Sequence, residues 1–224
     1  MITPEHLHRI AVWSAELTEE EIDRAARGIT EKPLSTGTYL FHRGDKFDSW
    51  TGIVSGIVKM STVTSSGKAV SYTGVTRGGW FGEGSVIKNE ARQYDIVALR
   101  ESVVACMNGT TFRWLFENST GFNRFLVTQL NERLGQFIAF LGHDRAFEAT
   151  PRVARCIAWL CNPVLSPGVG NHLEISQEEL GLLSGMSRQM ANRSLKALEE
   201  AGLIQVEHDG IEVLDLEGLK HFGE

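Results

Sequence analysis

The chain has 224 residues, 42% hydrophobic and 22% charged, with a formal net charge of −6, the balance of a soluble globular protein long enough to bury two cores. No apolar run approaches the roughly 20 residues that span a bilayer, and the opening MITPEHLHRI lacks the basic and then apolar pattern of a secretory leader, so a cytoplasmic chain without membrane contact is expected. Cys106, Cys156 and Cys161 are odd in number and sit in apolar stretches, which fits neither a disulfide framework nor a C-x-x-C metal knuckle and predicts buried thiols.

From about residue 30 to 107, short β-rich runs (TYLF, GIVKMSTV, AVSYTGV, YDIVAL, SVVACM) alternate with RGD, SSGK and RGGWFGEGS. Short strands, Gly-rich turns and no helix between them predict an antiparallel barrel or jelly roll. Within it, GWFGEGSVIKNEARQYD places Gly82 and Glu83 ahead of Arg92. A turn that bares backbone N–H groups, a carboxylate that accepts from a sugar hydroxyl and a guanidinium that pairs with a phosphate make a nucleotide cradle. Turn glycines beside a surface Glu–Arg pair are the alternative.

Residues 118–146 read as one long helix, with Leu126, Leu130, Leu134, Phe137 and Leu141 spaced by four, four, three and four. This near-heptad seam predicts a parallel dimer, packing against the same chain being the alternative. Thr150 and Pro151 suit the N-cap and first position of the helix PRVARCIAWLCN, so the boundary is drawn there. The expected organisation is an effector-binding domain over 1–117, a dimerisation helix and hinge over 118–149 and a DNA-binding domain over 150–224.

In LEISQEELGLLSGMS, Ser176 and Glu179 have capping-box spacing, Leu180 and Leu183 supply an apolar face, Gly185 permits a sharp turn and Ser187 caps a second helix. On that second helix, Arg188, Gln189, Asn192, Arg193 and Lys196 share an arc of roughly 140°, while Met190, Ala191, Ser194, Leu195 and Leu198 face the other way. Gly202 stops it, and LIQVEHDGIEVLD reads as a hairpin about Asp209-Gly210. Helix, turn, helix and hairpin make a winged helix-turn-helix, whose second helix enters the major groove. Residues 151–224 carry six Lys or Arg against eleven Asp or Glu, a net of −5, so binding to random DNA should be weak and site binding should depend on a local basic face and on dimerisation.

The order of these parts resembles the CRP/FNR family of bacterial transcription regulators over nearly the whole chain, on RGDKFDSWTGIVSGIVKM, RGGWFGEGSV and ISQEELGLLSGMSRQMANRSLKALEEAGLI. The resemblance implies an α+β fold: an N-terminal antiparallel β-roll of jelly-roll type, a long dimerisation helix and a C-terminal winged helix-turn-helix. It implies effector contacts from Gly82, Glu83, Gly84, Ser85, Arg92 and Gln93, with Glu83 on a ribose and Arg92 on a cyclic phosphate. Base reading falls to Arg188, Gln189 and Arg193, supported by Asn192 and Lys196, with Ser176, Gln177 and Ser187 near phosphates. Dimerisation falls to Leu130, Leu134, Phe137 and Leu141. The implied partners are a palindromic operator in double-stranded DNA, a second copy of the chain, RNA polymerase and a small effector, a cyclic nucleotide being one candidate.

This sequence departs from the family at Gln93 and Tyr94, where cyclic-nucleotide-binding members carry small residues, and at Phe137 and Ile138, which lack hydroxyls for adenine. No cysteine precedes residue 106, which excludes an N-terminal iron–sulfur cluster, and His42, the one histidine in the roll, reads as a strand-end surface residue. Two rival functions are a nucleotide-binding module whose winged helix binds protein, and a cupin-type enzyme. The enzyme would need His-x-His on the strands, whereas His6 and His8 precede the first of them, so no catalytic residue or metal site is assigned.

Overall fold

The computed structural model describes residues 1–64, 67, 69–143 and 149–223. Two threonine caps begin the chain: Thr3 accepts from the His6 N–H to open α1 (Pro4–Ile10), and Thr18 closes a capping box with Glu21 to open α2 (Glu19–Gly28). Between them a 3-10 turn, Val12–Glu16, carries Trp13 into the interior.

Among the described residues eight strands follow: β1 (Ile29–Leu34), β2 (Tyr39–Phe41), β3 (Ser49–Ser55), β4 (Val58–Val63), β5 (Ala69–Val75), β6 (Trp80–Phe81), β7 (Asp95–Ala98) and β8 (Ser102–Asn108). They form two four-stranded sheets with all pairings antiparallel, ordered β1-β8-β3-β6 and β2-β7-β4-β5. Phe41, Ile53, Val58, Phe81, Ile96 and Val104 fill the core of the roll. A second cluster joins the N-terminal turn to the roll, with the Trp50 ring 5.3 Å from Trp13, 4.5 Å from Trp80 and 5.3 Å from Phe122. Burial of apolar side chains of this size contributes roughly 1.5–3 kcal/mol each.

The roll is not free of helix. The Gly-rich segment after β6 turns into α3 (Glu83–Lys88), because Gly82 adopts a left-handed backbone (φ 95°) that redirects the chain into a helical turn. The expected helix over 118–146 is present as α5 (Thr120–His143), and a separate helix, α4 (Gly109–Asn118), precedes it. Leu126, expected in the dimer seam, is 2% exposed and packs with Phe122 in the tryptophan cluster of its own domain.

The C-terminal part comprises α6 (Ala149–Leu160), β9 (His172–Leu173), α7 (Gln177–Ser184), α8 (Arg188–Glu200), β10 (Ile204–Val206), β11 (Ile211–Val213) and α9 (Leu216–Lys220). Thr150 lies within α6 and its hydroxyl donates to the Ser194 hydroxyl at 3.3 Å, so it belongs to helix packing and not to a cap. The wing has three strands, β10-β11-β9, and its turn is a four-residue loop from Glu207 to Gly210. Ile157, Leu180, Leu183, Leu195, Leu198 and Ile204 anchor one core beneath these elements.

This unit rests on the roll. Arg100 forms a two-pronged pair with Glu179 at 2.7 and 2.5 Å, the Ser71 hydroxyl donates to the Leu182 carbonyl at 2.8 Å, and Leu160 and Leu183 close over Gly74. Among the described residues no helix is long and apolar enough to cross a membrane.

Candidate effector site and nucleic-acid interface

Arg92 is the central group of the roll site, and it points inward. Its side chain is 1% exposed; Nη1 donates to the Gly82 carbonyl at 3.1 Å, and Nη2 donates to the Phe47 carbonyl at 2.8 Å and to the Ser49 carbonyl. Phe41 and Phe47 cover the guanidinium, with ring centroids 4.6 and 5.3 Å away. Nε is buried and, among the described residues, has no hydrogen-bond partner. Burial pulls the guanidinium pKa down, against the opposing pull of Tyr94 and Glu83. Gly82 passes so close that a Cβ there would collide with Nη1, a second reason for glycine at this turn.

Glu83, at the start of α3, is also buried, and its Oε1 accepts from Nη1 of Arg133 on α5. Arg133 Nη2 donates in addition to the Trp80 carbonyl. One residue of the long helix thus bridges the carboxylate and a strand carbonyl of the roll. Tyr94 packs beside Phe41, ring centroids 6.0 Å apart. Burial and then the Glu83 carboxylate raise its phenol pKa, while Arg92 and Arg133 oppose the shift. Of the other expected effector contacts, Gly84 and Ser85 are half-buried on α3 and a Cβ at Gly84 would meet open space. Gln93 is exposed and turns back, its Nε2 donating to the Ala91 carbonyl at 3.0 Å. The fold brings Gly82, Glu83 and Arg92 together and leaves Gln93 outside. Arg133 was not legible as a site residue, since it lies 50 positions from Glu83; the available signal was a carboxylate in an apolar context that requires a cation.

His42 is exposed beside Asp95, as a strand-end residue. The three cysteines are free and buried; burial pushes Cys156 and Cys161 up to about 12, far from thiolate chemistry at neutral pH.

The second site is built by two caps. The Ser176 hydroxyl accepts from the Glu179 N–H at 3.2 Å, and a Glu179 carboxylate oxygen accepts from the Ser176 N–H at 2.8 Å, closing the box that starts α7. Gly185, left-handed at φ 68°, ends α7, and Ser187 caps α8 by accepting from the Met190 N–H at 3.2 Å. Ala191, Ser194, Leu195 and Leu198 face inward. Met190 does not join them: it is 42% exposed, because the first turn of α8 projects beyond the core. Arg188, Gln189, Arg193 and Lys196 are exposed and Asn192 is half-buried, all on the outer face; among the described residues none of the three cations forms an ion pair. Ser176 and Ser187 are exposed and Gln177 is half-buried at the two helix starts. Arg152 on α6, missed in the sequence, adds a cation at the turn, its Nη2 donating to the Ser184 carbonyl at 3.2 Å.

Residues 31–119 match the family model of a cyclic nucleotide-binding domain, and residues 151–222 match that of a Crp-like helix-turn-helix domain. The chain belongs to the CRP/FNR family. It is a CRP/FNR-type transcription regulator with a helix-turn-helix and a cyclic nucleotide-binding domain. Similar relatives include the cAMP-activated global transcriptional regulator Vfr of Pseudomonas aeruginosa, 26% identical over 84% of this chain and 90% of that protein. The cyclic AMP receptor protein of Thermus thermophilus is 26% identical over 88% of this chain and 89% of its own. Among solved structures, the Thermus thermophilus catabolite activator protein is 25% identical, covers 91% of this chain and 95% of its own and has a TM-score of 0.51. FixK2 of Bradyrhizobium japonicum, 14% identical, shares the fold with a TM-score of 0.64 over 85% of this chain and 95% of its own.

For a CRP/FNR regulator, the two sites have opposite surroundings. The cations of α8 are open to a ligand, whereas Arg92 is enclosed by the roll and spends three of its donors on backbone carbonyls.

Proposed function

We propose that this regulator acts as a homodimer that reads a palindromic operator through the N-terminal half of α8, under control of the roll. The observation that carries this reading is the free cationic face of α8, displayed on a capped helix-turn-helix. Arg188, Gln189 and Arg193 would meet base edges, with Asn192 beside them; Ser176, Gln177, Ser187 and Lys196 would meet phosphates. Leu130, Leu134 and Phe137, exposed by 42, 55 and 58%, support the dimer, since among the described residues they form an uncovered apolar stripe on α5. The fourth expected member, Leu141, has its side chain outside the described residues. Glu83 and Arg133 supply a path by which a change in the roll would reach α5 and thence α8. RNA polymerase is the implied partner once the operator is bound.

Selection from a random duplex pool, followed by sedimentation of the wild type and Leu134→Glu, tests the reading. The expected result is a two-fold symmetric site bound by a dimer, and a monomeric variant that has lost it. Failure to enrich any sequence would favour the alternative of a winged helix that binds protein. A Leu134→Glu protein that remains dimeric would move the interface away from α5.

A further inference from the structure

The wing gathers one imidazole and three carboxylates. Leu173, Ile204, Ile211 and Val213 are buried in the core of the C-terminal unit, so the alternate positions of its strands lie on the outer face. On that face His172 and Glu212 are cross-strand partners, and Gln205 of β10 pairs with Glu212, which puts Glu207, two residues further on, on the same side. The Glu207 N–H donates to the Gly210 carbonyl at 2.9 Å and closes the loop that carries Asp209.

His172 Nδ1 stands 3.5 Å from Glu207 Oε2 and 3.5 Å from Glu212 Oε2. Both separations exceed the range of about 2.7–3.2 Å for N–H···O hydrogen bonds. Both match the separation of about 3.4 Å between two donors that share one tetrahedral ion with bonds of about 2.1 Å. The other ring nitrogen, Nε2, faces Asp209 Oδ1 at 3.8 Å, the place of a carboxylate that orients a metal-bound imidazole. Donor atoms of His172, Glu207 and Asp209 all lie within 4.8 Å of one another. The side chains of His172, Glu207 and Glu212 are about one-third exposed, so an ion reaches them from solvent. Among the described residues no Lys or Arg forms an ion pair with any of the three carboxylates, and a single imidazole cannot balance all of them.

We propose that His172, Glu207 and Glu212 bind a divalent metal ion of the zinc class on the wing, with Asp209 set against the second nitrogen of the imidazole. The imidazole donor disfavours calcium and magnesium, which take oxygen ligands, and a set without thiolate disfavours copper(I). Three protein donors leave the fourth position to water. The ion ties β9, β11 and the loop after β10 to one another and offsets their like charges. The site is built from the wing alone and is independent of any DNA contact.

The full chain, dialysed against EDTA and returned to metal-free buffer, is titrated with zinc chloride by calorimetry and followed by thermal unfolding. Wild type should take up one zinc per chain and gain about 4 °C in Tm at tenfold excess over Kd, with calcium chloride giving neither. His172→Ala and Glu212→Gln should each weaken zinc binding by at least about tenfold, whereas His42→Ala, at a histidine beside the carboxylate of Asp95, should leave it unchanged. If His172→Ala does not fold, as judged by circular dichroism, Glu212→Gln decides. The absence of saturable zinc binding by wild type would overturn the proposal, as would binding that survives the substitutions at His172 and Glu212, or calcium binding as tight as that of zinc.

Discussion

Arg92 in the roll and Arg188 on α8 are the same residue type in opposite settings. Arg92 is surrounded by three carbonyls and two aromatic rings, and Arg188 stands at the first turn of a helix with solvent around it. A guanidinium enclosed in this way is part of the fold, since three of its donors are spent on backbone carbonyls. One left open retains its donors for a partner, and its desolvation is deferred until that partner arrives. Both lie in segments that resemble ligand-binding motifs, and only their neighbours separate them.

Several substitutions would break or sharpen this contrast. Arg92→Ala should have the largest effect: it removes the hydrogen bonds to three backbone carbonyls and the packing on Phe41 and Phe47, at a cost of about 3 kcal/mol in unfolding free energy. Denaturant titration measures this, and a variant as stable as wild type would show that the enclosed arginine is not structural. Arg188→Ala and Arg193→Ala should leave stability within about 0.5 kcal/mol and instead weaken binding to the selected operator by about 1–3 kcal/mol each, with discrimination relaxed at one base per half-site. Equal losses on scrambled DNA would reduce them to phosphate contacts.

Arg100 stands between the extremes, half-buried and paired with Glu179. Burial raises the Glu179 pKa, but the Arg100 hydrogen bonds and the Ser176 N–H outweigh it and hold the carboxyl below its usual value. The pair therefore stabilises the protein above the unfolded carboxylate pKa of about 4.3, and that contribution is lost as pH falls through the lower folded value. Arg100→Ala should cost about 1–2 kcal/mol at neutral pH, and the two denaturation curves should converge in acid; a constant gap down to pH 2 would refute the assignment. The smallest effect belongs to Lys196→Ala, which should weaken all DNA sequences alike and flatten the salt dependence by about one. A loss confined to the selected operator would move Lys196 into the base-reading set.

The C-terminal half was far more legible in the sequence than the roll. Ser176 and Glu179 cap α7, Gly185 takes its left-handed turn and Ser187 caps α8, because each signal acts within three or four residues. In the roll the runs at 39–41, 58–63, 69–75, 95–98 and 102–108 are strands, whereas β1, β3 and β6 are not among the β-rich runs picked out by composition. Their identity depends on partners far along the chain: Ile29 pairs with Met107, and Thr51 pairs with both Phe81 and Cys106. Met190 was misjudged for a related reason, since helical phase alone places it on the apolar arc and only the edge of the core leaves it in solvent.

What this sequence determined by itself was therefore local: the caps, the turn, the alternation of short strands and the segregation of cations on one face of α8, all written in residues within hydrogen-bonding or helical-repeat distance of one another. Which way Arg92 points, that Arg133 meets Glu83 and that Leu126 sinks into its own domain while Leu130 does not were decided by tertiary structure. These outcomes depend on how segments tens of residues apart exclude water from a shared interior. There, a polar group takes whichever partner burial leaves within reach.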